Sequence, residues 1–100
     1  MRTLIKVSIP VESGNRAVKD NAIGKIMGAF TQEHRPECSY FYPEHGKRTA
    51  LFVIDLKDSA QIPQIVEPFF LQLDASVEVT PVMNGEDLQK GLQQASAKRS

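Results

Sequence analysis

Few residues in this 100-residue chain carry reactive chemistry, and their spacing narrows what each can do. Lys6 and Glu78 sit in two segments of alternating polarity, Thr3 to Val11 and Ala75 to Met83. On neighbouring strands the two side chains face each other. They then form either an acid–base pair tuned by partial burial or a cross-strand ion pair that neutralises two charges. Tyr40 and Tyr42 are two residues apart, so in a strand both rings leave the same face. Two phenols on one face suit either orientation of an aromatic substrate or packing at a dimer interface. Ser8 and Thr80 join Lys6, Tyr40, Tyr42 and Glu78 by the same parity, which makes six candidate pocket-lining residues.

Metal and nucleophile chemistry find less support. His34, Cys38 and His45 are the soft ligands present, and their spacing matches no zinc pattern. His34 reads as a helix-end residue complementing the dipole, and His45 as a turn residue. Cys38 has no basic partner nearby in sequence and reads as a small strand residue. No Cys-x-x-Cys pair, Gly-rich phosphate loop or nucleophile elbow occurs, so no metal or cofactor is expected.

The elements that must position these residues follow from periodicity. Thr3, Ile5, Val7 and Ile9 alternate with Leu4, Lys6 and Ser8, which is the pattern of a half-buried strand. Ser13 and Asn15 are candidate caps for a helix carrying Val18, Ala22, Ile26 and Phe30 at i+4 steps, with a break at Asp20-Asn21. Gly24 and Gly28, one turn apart, read as close packing on a sheet beneath. Cys38 to Pro43 and Lys47 to Leu56 flank His45-Gly46, a two-residue hairpin loop needing positive φ at both positions. That loop pairs Tyr42 with Thr49 and Tyr40 with Leu51. Asp58-Ser59 starts a helix with the stripe Ile62, Ile65, Val66, Phe69 and Leu73. A last strand follows, then a short helix capped at Asn84-Gly85-Glu86-Asp87.

Strand, helix, strand, strand, helix, strand is the split pattern of a ferredoxin-like α+β fold. It predicts a four-stranded antiparallel sheet with the first and third strands central and the helices on one face. Residues 1–95 form one domain, and 96–100 lack an apolar anchor and should fray. The other sheet face carries Leu4, Tyr40, Tyr42, Leu51, Val53 and Val82, too apolar to stay bare. A second copy, sheet against sheet, covers it.

Here the chain resembles a family, the dimeric α+β barrel superfamily, and within it small uncharacterised bacterial members. The resemblance spans roughly residues 3 to 92. It rests on the element order and on Ile9-Pro10-Val11-Glu12-Ser13-Gly14-Asn15, Lys47-Arg48-Thr49-Ala50 and Glu67-Pro68-Phe69-Phe70. It implies a homodimer with a cavity between facing sheets. Members include cofactor-free monooxygenases and isomerases, haem-dependent enzymes and proteins without activity, so the fold does not choose the chemistry. The expected function is binding of a small, partly apolar organic molecule, with cofactor-independent oxygenase or isomerase chemistry. The alternative is a non-catalytic interaction or regulatory module with a packed interface.

Composition removes other classes. Twelve basic and twelve acidic residues give zero formal charge, against the basic excess of a nucleic-acid binder. The RNA-recognition variant of this element order needs aromatics on the central strands, and Leu4 to Ile9 has none. One cysteine excludes an internal disulfide framework. With neither a signal-peptide pattern nor a long apolar run, a cytoplasmic protein without membrane partners is expected.

Overall fold

A computed structural model describes residues 1–99. The strands are β1 (Arg2–Ile9), β2 (Cys38–Glu44), β3 (Lys47–Asp55) and β4 (Ser76–Pro81). The helices are α1 (Val11–Lys19), α2 (Ile23–His34), α3 (Ile62–Leu73) and α4 (Gly85–Arg99). All strand pairs are antiparallel and the sheet order is β2-β3-β1-β4, with β1 and β3 central. The fold is ferredoxin-like.

Period-two alternation decides the faces. Thr3, Ile5, Val7 and Ile9 of β1 are buried, as are Ala50, Phe52 and Ile54 of β3. They meet Phe30 of α2 and Ile65, Val66, Phe69 and Leu73 of α3 in one apolar core. Phe52 is its centre, with ring centroids 4.4 Å from Phe30 and 6.3 Å from Phe69. The hairpin forms as its loop demands: His45 has φ 53° and Gly46 φ 74°, and Tyr42 pairs with Thr49.

Several local expectations are corrected. Ser13 and Asn15 are not caps, because α1 begins two residues earlier behind Pro10. The Ser13 hydroxyl is buried instead and donates to the Leu73 carbonyl at 2.6 Å, tying α1 to the end of α3. The Asp20-Asn21 break is real, with Asn21 left-handed at φ 56°, and it separates α1 from α2. The expected close packing at Gly24 and Gly28 is absent: a Cβ at either would meet nothing within 4 Å. The glycine with that role is Gly14, whose Cβ would come within 2.9 Å of Arg48 and 3.2 Å of Ile9. Gly28 therefore costs helix stability without a packing return. Gly28→Ala is expected to raise stability by about 0.5–1 kcal/mol, read as a higher urea midpoint. A lower midpoint would mean that a neighbour does pack there.

Asp58 caps a 3-10 turn, Ser59–Gln61, which leads into α3. Asn84 and Asp87 cap α4 reciprocally, each side chain accepting from the other's backbone N–H at 2.8 and 3.1 Å. That helix is longer than expected, and the segment expected to fray is helical through Arg99; Ser100 lies outside the described residues. None of its residues is buried, and Leu88 and Leu92 are exposed. Together with a long axis of 59 Å, this describes a helix projecting from the domain.

Candidate functional site

The sheet face away from the helices brings all six candidate residues together. The strand registers arrange them in rows running across the sheet, about 7 Å apart along the strands. One row is Tyr42, Thr49, Ser8 and Ser76, a hydroxyl on every strand. The next is Tyr40, Leu51, Lys6 and Glu78. The third is Cys38, Val53, Leu4 and Thr80, mostly apolar. The face thus changes from hydroxylated to charged to apolar along the strand direction. Tyr40 is 61% exposed, whereas Leu4, Leu51 and Val53 are half-buried. Beyond the apolar row lies a charged border at Arg2 and Asp55. Hydrogen bonds from Lys57 and from the Met1 amino group pull the Asp55 carboxyl down to about 2.

Lys6 stands opposite Glu78 in register, but its ammonium pairs elsewhere. Nζ lies 2.5 Å from Oε2 of Glu44 at the end of β2, two strands away. This corrects the expected Lys6–Glu78 pair. In register, Thr49 of β3 lies between Lys6 and Glu44. Thr49 is only 3% exposed although it belongs to the open face, and its hydroxyl donates to the Lys47 carbonyl at 3.1 Å. The hydrogen bond to Glu44 raises the Lys6 pKa further, against the opposing effect of burial. An amine held this firmly protonated anchors or polarises a negative group; it is no base at neutral pH.

The metal candidates are scattered. His34 closes α2 and packs tilted against Phe30 with centroids 4.8 Å apart, His45 is in the hairpin turn, and Cys38 starts β2. Among the described residues no group of three His, Cys, Asp or Glu could hold a metal ion. No described helix is long and apolar enough to cross a membrane.

A second concavity escaped the sequence reading. It lies on the helix side, where α1, α2 and α3 stop short of edge strand β2. Phe41 points to that side and meets Phe52 edge-on, yet remains 59% exposed. The resulting groove, of about 370 Å³, runs between Ile23 and Met27 of α2 and Phe41 and Pro43 of β2. The available signal was Phe41 itself, an aromatic on the inward side of an edge strand.

Compared with family models and with curated proteins, the chain matches none of either. Its fold class therefore rests on topology and register. Function must be argued from the two faces.

Proposed function

We propose that two copies of this chain pair through their open sheet faces and enclose a cavity that binds a small organic molecule with an apolar body and a polar head. The graded face carries this reading. A ligand lying along the strands would set its body on Leu4, Val53 and Cys38 and its polar end toward Lys6 and the hydroxyl row. Thr49 already donates to the Lys47 carbonyl, but a purely structural seam would have to pair the other hydroxyls of this row across it, because each polar group withdrawn from water without a partner costs about 1–3 kcal/mol. The contiguous apolar set and the sheet's lack of a second layer support the pairing of copies. The likeness to the dimeric α+β barrel superfamily points the same way, and it brings cofactor-independent oxygenase or isomerase chemistry as the reaction class. In that chemistry Lys6 would stabilise a developing negative charge and the tyrosines would orient the substrate.

A thermal-shift screen against aromatic, lactone and quinone-like compounds tests the reading, since a ligand that binds only the folded state raises its melting temperature. Tyr40→Phe, which removes only a hydroxyl, is expected to weaken a responding ligand about 2- to 10-fold with the dimer intact. If Tyr40→Phe and Lys6→Met both leave every response unchanged, the face is a packed interface of a non-catalytic module.

A further inference from the structure

The groove on the helix side has the composition of a second, independent binding site. Its walls are Ile9, Ile23, Met27, Phe41, Pro43 and Ala50, and its floor under α2 is widened by Gly24, which carries no side chain. A volume of about 370 Å³ falls within the range of small-molecule pockets, roughly 300–1,000 Å³. Among the described residues, Arg48 is the sole charged group in the lining.

Arg48 is also held in place. Its Nη1 donates to Oδ1 of Asn15 at 2.9 Å, and among the described residues no carboxylate pairs with it. Gly14 makes this approach workable, because a Cβ there would stand 2.9 Å from the same nitrogen. Two consecutive residues of α1 thus serve one guanidinium: Gly14 clears its path and Asn15 fixes its direction. Asn15 takes one donor and carries no charge, so the remaining N–H groups stay available for an anion in the fork geometry that suits a carboxylate.

We infer that this groove binds a small organic anion, an aromatic or branched aliphatic carboxylate whose body lies between Met27 and Phe41 and whose head meets Arg48. Asn15 is a positioning residue that orients the guanidinium. The groove opens on the helix side of the sheet; Tyr42 and Thr49 of the open-face hydroxyl row border it, whereas Tyr40 and Lys6 do not.

Methyl-labelled methionine reports on the groove directly. Of the three methionines, Met27 lines it, whereas Met1 and Met83 border a different depression beside Arg2. Titration of the full chain with 2-naphthoate is expected to shift the Met27 methyl resonance, with Met1 and Met83 unmoved. Arg48→Gln should weaken the response about 10-fold or more, Asn15→Ala by a few-fold, and 2-naphthamide should bind as weakly as the acid does to Arg48→Gln. Gly24→Leu, which has open space to grow into, should block the response without disturbing the other two methyls. A Met27 signal that ignores naphthoate, or that moves equally with the amide, overturns the site. A naphthoate response that survives Arg48→Gln but vanishes in Tyr40→Phe also overturns it, and leaves the open-face reading standing. If naphthoate leaves Met27 unmoved and no compound in the thermal-shift screen raises the melting temperature of the parent protein, neither site binds a ligand.

Discussion

Phe52→Ala is expected to cost about 3–5 kcal/mol of folding stability, while Leu51→Ala, one residue away, should cost well under half of that. Phe52 is fully buried, and its ring touches the rings of Phe30, Phe69 and Phe41 from three directions. Its truncation leaves a cavity that the sheet cannot collapse to fill, because β3 is held on both sides by β1 and β2. Leu51 points to the other face and is half-buried in the single copy. For a domain whose total stability is about 5–15 kcal/mol, the first change approaches unfolding and the second does not. Urea denaturation at a concentration where the chain is monomeric measures both. A larger loss for Leu51→Ala than for Phe52→Ala would mean that the face assignment of β3, and with it the whole open-face site, is inverted.

The second large effect concerns the pairing of copies. Leu51 lies in the middle of the open face, between Tyr40 and Lys6 in the central row. Leu51→Glu sets a carboxylate there, beside a Lys6 ammonium that is already paired with Glu44, so one negative charge is left over, and a two-fold interface would bury it twice. An uncompensated buried charge costs about 3–5 kcal/mol, enough to weaken a micromolar dimer beyond detection. The domain itself should remain folded, since its core lies on the other side of the sheet. Sedimentation velocity at about 50 µM should therefore give twice the 11.1 kDa chain mass for the parent protein and the chain mass for Leu51→Glu. An unchanged dimer in the variant would move the interface to another surface, with exposed Leu88 and Leu92 of α4 the first place to look.

The parts of this molecule readable from sequence are those governed by strict local periods. A one-residue slip turns every strand side chain over, so Thr3, Ile5, Val7 and Ile9 could only face the core together, and Lys6 and Ser8 could only face away. The hairpin register followed from His45-Gly46, because a two-residue loop leaves one pairing. What escaped depended on depth and reach. Gly24 and Gly28 look alike in sequence whether a helix presses on a sheet or stands clear of it. Gly14 sat in a cluster with the character of a turn, which hid a helix start and the space it provides for Arg48. The partner of Lys6 lies across an intervening strand, at the end of β2, a reach that no local spacing encodes. The groove beside Phe41 depends on how far the helices extend over β2. No local pattern encodes that distance.

The chain carries its own probe of the central claim, that the open sheet face is covered by a second copy. Cys38 is its one cysteine and pairs with Val53 on that face, in the apolar row beside Leu4. Its rate of reaction with a disulfide reagent such as dithiobis-nitrobenzoate should fall as protein concentration rises from about 1 to about 300 µM, following the formation of the dimer. Leu51→Glu should react at the dilute-protein rate throughout. A Cys38 rate in the parent protein that stays the same over this range would contradict the account, because the face would then be open in solution whatever the mass of the assembly.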